Sequence, residues 1–211
     1  MKRTMHLLTT AVLLMSVLAG AFCSAAQPPD ANGFLQQWLL LEPVKVSGQL
    51  SDSAVRDTVL QMTLPGKPAT VPSNGDKVQI GNQKLQWHAV DTGTYNVNLY
   101  HFAHGLGLPT SNVLFWAITV VESPREMTGV RLAIGSNAAS MWWLNGNEVI
   151  DLYNERQTVI DDGVSKRLTL RSGRNVIRAA IINAGGATDF AARFLDENGN
   201  PVKDLVINPG R

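Results

Sequence analysis

Leu132-Ala-Ile-Gly-Ser-Asn-Ala-Ala-Ser-Met-Trp-Trp-Leu-Asn-Gly-Asn-Glu-Val149 is the stretch on which the fold turns. Asn145-Gly146 stands between two β-prone runs, 140–144 and 148–152, and both residues tolerate positive φ, so the stretch predicts a hairpin closed by a type I′ turn. Trp142 and Trp143 are neighbours on its first strand and must point to opposite faces. On either side of this stretch, short β-branched or aromatic runs recur about every 8–12 residues between Gly, Asn and Asp, the spacing of a sandwich or a barrel. The other runs are 113–121, 129–134, 166–170, 175–182 and 189–195, with a last strand within 202–207. In one of them Arg167, Thr169 and Arg171 alternate with Leu168 and Leu170, a strand wet on one side. The runs holding Trp116 and Ile181 are apolar on both faces, which places them centrally between two layers or under a covering segment.

The N-terminal half is less regular. Trp38-Leu-Leu-Leu41 reads as a first strand stopped at Pro43. The stretch 51–60 alone has helical spacing: Ser51 or Ser53 would cap it, Val55, Val59 and Met62 would share a face, and Pro65-Gly66 would end it. Residues 77–80 and 84–88 predict a hairpin over Gly81-Asn82, and 96–102 reads as an alternating strand. The expectation is an all-β sandwich with one short helix in its N-terminal half.

Composition narrows the function classes. The 211 residues are 45% hydrophobic and 17% charged with a net charge of +1, values that suit one ordered domain and leave no basic excess for a nucleic-acid backbone. Met1-Lys2-Arg3, an apolar run over 7–22 and Cys23-Ser-Ala-Ala26 read as a secretory leader. The apolar run is shorter than the ~20 residues needed to span a bilayer. Phe22 before Cys23 is too large for a lipidation site. The expected organisation is a signal peptide over 1–26 and a single β-sandwich domain over 27–211, exported to the periplasm, the cell surface or the medium, with no membrane span after cleavage. Cleavage removes Cys23, the only cysteine, so thiol nucleophiles and Cys-bound metals are excluded from the mature chain.

The stretch 132–149 resembles galactose-binding-like jelly-roll modules of secreted polysaccharide-degrading proteins, in which a Gly-Ser-(Asp/Asn) turn precedes a strand ending Trp-Leu-Asn-Gly and a Val strand follows. Leu168-Thr-Leu-Arg-Ser-Gly-Arg-Asn175, the buried run 176–183 and the strand and turn over 189–201 fit the same pattern, which covers roughly 112–205. More narrowly, Trp38-Leu-Leu-Leu-Glu-Pro43, Trp87-His-Ala-Val-Asp91 and Asn96-Val-Asn-Leu-Tyr-His-Phe102 resemble the non-catalytic N-terminal domain of acetyl xylan esterase-type secreted bacterial proteins. The resemblance implies a jelly-roll β-sandwich. The sequence departs from the family at Asn137-Ala138, where many members carry Asp-Asp, which removes carboxylates that could bind sugar hydroxyls or calcium.

No catalytic residue is assigned. Gly163-Val-Ser165 is followed by Lys166-Arg167, where a nucleophile elbow requires Gly, and only His88, His101 and His104 could serve a triad in the mature chain. On the strand expected over 96–102, His101 and His104 would face opposite sides, and Asp161-Asp162 beside Gly163 reads as a solvated turn. For calcium, which takes about 6–8 oxygens, Asp161, Asp162 and Asn154 are at most a partial set, so no cofactor or metal is assigned. Carbohydrate recognition asks for an aromatic face and planar polar groups. Its candidates are Trp87, Asn98, Tyr100, Trp142, Trp143, Asn145, Tyr153 and Arg156, with Tyr153 and Arg156 preferred because they share an irregular loop. At least one of Trp142 and Trp143 must face the core. The expected function is an exported non-catalytic module that binds plant polysaccharide or oligosaccharide in a xylan-type degradation system. The alternatives are a small acetyl (xylan) esterase with an unrecognised triad, or a structural domain docking a separate catalytic esterase.

Overall fold

The two runs apolar on both faces become the longest strands, β6 (Val113–Ser123) and β12 (Gly173–Asn183), paired antiparallel over their whole lengths. They are described in a computed structural model that covers residues 25–209, so the leader expected over 1–26 lies almost wholly outside the described residues. Around this pair a large sheet runs in the order β3 (Lys77–Ile80), β4 (Gln83–Asp91), β1 (Gln37–Leu41), β6, β12, β8 (Ala139–Leu144), β9 (Asn147–Leu152). The short β2 (Val44–Lys45) and β14 (Val206–Ile207) also pair with β6. A smaller sheet runs β10 (Gly163–Val164), β7 (Met127–Asn137), β13 (Asp189–Leu195), β5 (Val97–Asn98), with β11 (Leu168–Leu170) also on β7. From β5 to β8 every successive strand changes sheet, and β10, β12 and β13 do so again. The result is an antiparallel β-sandwich with jelly-roll crossings.

Alternation along these strands builds two apolar layers. One set of side chains, including Phe115 and Ala117 of β6, Ile177 and Ile181 of β12, and Leu132 and Ile134 of β7, fills the space between the sheets. At its centre Trp38, Trp142 and Phe190 meet edge to face, with ring centroids 4.8–6.2 Å apart. Their buried indole N–H groups are satisfied, Trp38 Nε1 donating to Leu35 O at 2.7 Å and Trp142 Nε1 to Ser140 Oγ at 2.9 Å. The alternate side chains, among them Leu114, Trp116, Ile118, Val176 and Ala180, lie on the outer face of the large sheet and form a second buried cluster.

That outer face is covered by α1 (Asp52–Gln61) and the irregular strap over 62–76. Val55 and Val59 fall on one side of α1, and burying each contributes about 1.5–3 kcal/mol. Trp116 Nε1 donates to Met62 O at 3.0 Å where the helix ends, and Arg174 and Arg178 of β12 donate to strap carbonyls at Ala69, Lys67 and Thr70.

The hairpin of β8 and β9 closes on Asn145 at φ 52° and Gly146 at φ 89°, as its sequence predicts. Gly146 also lies against the strap, since an added Cβ would stand 2.8 Å from Pro68 Cβ. The stretch 96–102 departs from the expected strand. Only Val97–Asn98 pairs with β13, and the chain then winds into α2 (Leu99–Gly105), giving two helices rather than one. The reason is local: Asn98 caps the new helix by accepting from His101 N at 2.7 Å, while Leu99 and Ala103, four apart, provide its buried side.

Candidate functional site

On the outer face of the large sheet, β4, β6 and β12 present Trp87, Ile118 and Arg178 to a cleft of 260 Å³, walled by Pro65, Pro72 and Lys77 of the strap and β3. Ile118 sits directly opposite Arg178 in the β6–β12 pairing, and Trp87 opposite Leu41 in the β1–β4 pairing. The cleft therefore crosses three strand spacings, about 14 Å. Trp87 is 3% and Ile118 1% exposed, so both lie in the floor, and the exposed apolar lining comes from Pro65, Val71, Pro72 and Val78.

Arg178 interrupts an apolar strand and pays in hydration: burial pulls its guanidinium below the ordinary range. Nη2 donates to Lys67 O at 2.9 Å and Thr70 O at 2.7 Å, and Nε is buried with no partner. Nη1 is neither bonded nor buried. Lys77 is exposed on the rim, and the one carboxylate lining the cleft, Asp76, accepts from Ser73 N at 2.8 Å. Among the described residues, neither Arg178 nor Lys77 has an ion-pair partner.

The residues singled out from sequence scatter over the molecule. Trp142 is 0% exposed between the sheets and has no face for a ligand. Trp143 points the other way, half-buried beside Trp116 with ring centroids 5.7 Å apart. Asn145 binds its own fold, with Nδ2 donating to Asn175 Oδ1 and Oδ1 accepting from Val176 N, both at 2.9 Å. Tyr100 stacks on His104 at 5.8 Å along α2, and Asn98 is that helix's cap.

Tyr153 and Arg156 do not form a shared surface pair, because each is engaged separately. The Tyr153 hydroxyl donates to Asp151 at 2.8 Å, and Arg56 of α1 lies over its ring at 5.7 Å while pairing with Asp52, Glu148 and Asp151. Burial, then the bond to Asp151, raises the Tyr153 hydroxyl above the ordinary tyrosine range, so it stays a donor. Arg156 is ion-paired with Asp162 in its own loop. Of the candidates, Trp87 alone lines the cleft. Arg178, which the sequence reading missed, was signalled by its place as the only charge in the apolar run 176–182.

Two other places hold polar groups. At the end of the small sheet Asp189 stands opposite Asn137 and accepts from Asn96 Nδ2 at 2.8 Å and from the Thr158 hydroxyl. Asn96 Oδ1 and Asn137 Oδ1 are buried there without partners, and the Asn137–Ala138 peptide is cis. A larger hollow of 550 Å³ lies between the start of β7 and the turn over 196–204. Three of its charges are engaged: Arg125 pairs with Asp204 at 2.6 Å, and N–H groups of Asn200, Asn198 and Gly199 hold the Asp196 carboxyl below its ordinary range.

The hydrolytic candidates are also tied to the fold. Ser165 Oγ accepts from Leu132 N at 2.9 Å and donates to Lys166 O at 2.7 Å, and His88 Nε2 is 3.2 Å from Glu42. Asp161 pairs with Arg193 of β13, and Asp162 with Arg156. His101 and His104 lie one helical turn apart on α2 rather than on opposite faces of a strand. Among the described residues no three His, Cys, Asp or Glu side chains are grouped closely enough to share a metal ion, and no helix is long and apolar enough to cross a membrane.

No protein-family model matches the chain, and neither does any curated protein. Among solved structures it is similar to a PA14 sugar-binding domain from an RTX adhesin, at 11% identity and a TM-score of 0.46 over 81% of this chain and 96% of that one. The PA14 domain of the antifreeze protein MpAFP is similar at 12% identity and a TM-score of 0.46, over 82% and 91%. An anti-sigma factor domain-containing protein is similar at 11% identity and a TM-score of 0.44, over 57% of this chain and only 41% of that one, so the chain spans less than half of its length. At these identities and TM-scores the similarities neither assign a family nor carry a ligand to this chain.

Proposed function

We propose that this protein is an exported, non-catalytic module that binds carbohydrate and serves a xylan-type polysaccharide-degrading system, with the cleft beside Trp87 as its binding site. The observation that carries the reading is the composition of that cleft. Pro65, Val71, Pro72 and Val78 provide apolar surface above the buried Trp87 and Ile118, and a guanidinium with a free Nη1, a lysine and a carboxylate converge on the same 260 Å³. A sugar ring needs both: C–H surface against an apolar wall, and directional donors and acceptors for its hydroxyls. Export rests on the leader expected over 1–26, and the xylan-type setting on the resemblance of the Trp38, Trp87 and Asn96 segments to an esterase accessory domain.

Calorimetry of the purified protein against xylo-, cello- and acetylated xylo-oligosaccharides, with and without calcium, tests the reading, with acetate release measured on the same samples. Heat of binding without acetate release is expected. Heat with none of the glycans, from protein that melts cooperatively, overturns carbohydrate binding, and steady acetate release replaces the accessory role with that of an esterase.

A further inference from the structure

The charges around the cleft are unbalanced. Arg178 lines it with Nη1 free, Lys77 stands on its rim, and Arg174 lies four residues along the same face of β12, beyond Val176. None of the three is ion-paired among the described residues, whereas Arg56, Arg125, Arg156 and Arg193 all have carboxylate partners. Asp76 is the only acid in the lining and already accepts a backbone N–H. A half-buried guanidinium whose partners are carbonyl oxygens has lost hydration without gaining a counter-charge. The same burial holds the guanidinium below its ordinary range. An anion at Nη1 would restore what burial removed, because a charge-assisted hydrogen bond to a carboxylate is stronger than one to a neutral hydroxyl.

We propose that the cleft takes an acidic glycan, one bearing uronate carboxylates, with Nη1 of Arg178 and the Lys77 ammonium receiving the carboxylate while Pro65, Val71 and Pro72 line the apolar side of the ring. This rests on the carbohydrate-binding reading and narrows it to a substrate class. The apolar wall is what separates such a ligand from a bare inorganic anion, because only a sugar acid uses both halves of the site.

The test is calorimetry of the full protein with four probes: oligogalacturonate, glucuronate-branched xylo-oligosaccharide, unbranched neutral xylo-oligosaccharide of the same length, and inorganic phosphate. At low salt a uronate-bearing probe is expected to bind about tenfold tighter than its neutral counterpart, a preference that shrinks as salt is raised. Lys77→Gln, whose side chain makes no hydrogen bond within the fold, should cut the preference about two- to threefold and leave melting unchanged. Arg178→Gln should abolish the preference and Arg178→Lys retain part of it. If Arg178→Gln melts early because the strap loses its anchor, the Lys77 variant carries the test alone. Equal affinity for acidic and neutral probes overturns the inference and leaves carbohydrate binding standing. Phosphate binding as tightly as the uronates also overturns it, in favour of a general anion site. Silence with every glycan removes the inference together with the reading beneath it.

Discussion

On the large sheet, Trp116, Ile118 and Val176 lie under Val55, Val59 and Leu64, so the outer face is closed by side chains packing on side chains. The outer face of the small sheet is closed differently. The loop over 153–163 crosses β7 so near Gly135 that an added Cβ would stand 2.9 Å from the carbonyl carbon of Val159. It is tied down by Thr158 to Asp189 and by Asp161 to Arg193, whose guanidinium also lies 4.8 Å from the Phe34 ring centroid. One cover is apolar and built from a helix and a strap. The other is polar and built from backbone contact and ion pairs, and it leaves Val159, Ile160 and Val164 exposed. The two faces therefore tolerate variation unequally. An apolar cover adds to the core, whereas a cover of ion pairs fixes a loop while contributing little to global stability.

Trp116→Ala should produce the largest effect on that contrast. It removes a buried indole from the middle of the outer cluster and the bond that ends α1 at Met62. Urea denaturation should report a loss of about 3–5 kcal/mol. A loss below about 1 kcal/mol would mean that α1 and the strap rest on the sheet without forming a second core.

Gly135→Ala comes next. The methyl would meet backbone rather than a flexible side chain, so the loop must lift from β7. A cost of about 1–3 kcal/mol is expected, with faster proteolytic cleavage within 153–163. Unchanged stability together with unchanged cleavage would show that the loop does not rest on the small sheet.

These covers mark the limit of what a sequence discloses. The strands, the Asn145-Gly146 hairpin, the 77–88 hairpin and α1 follow from period and turn chemistry, which act within a few residues. The misread segment, 96–102, satisfies both periods over its short length, and the Asn98 cap decides in favour of a helix. The strap has no period to read, and its anchors at Arg174 and Arg178 lie more than 100 residues away in sequence. The cleft was invisible for the same reason. Its wall belongs to the strap, its floor to three strands far apart in the chain, and only a charge stranded in an apolar run hinted at it. Tyr153 and Arg156, neighbours in sequence, were drawn to different partners once the loop found Asp162 on one side and α1 found Asp151 on the other.

The smallest expected effect separates the two covers by mechanism rather than by size. Asp161 and Arg193 are 24% and 17% exposed, partly shielded but within reach of salt. A double-mutant cycle with Asp161→Asn and Arg193→Gln should give a coupling of about 1 kcal/mol at low ionic strength, falling as salt is added. Arg193 also donates to Asn32 O at 3.0 Å and lies over Phe34, so its single variant should cost more than that of Asp161, and only the coupling isolates the ion pair. Trp116→Ala, measured through the same salt series, should keep its full effect, since burial of an indole has no ionic atmosphere to screen. If the Asp161–Arg193 coupling proved as insensitive to salt as the Trp116 effect, the polar cover would be sealed from solvent, and the two faces would differ in composition but not in kind.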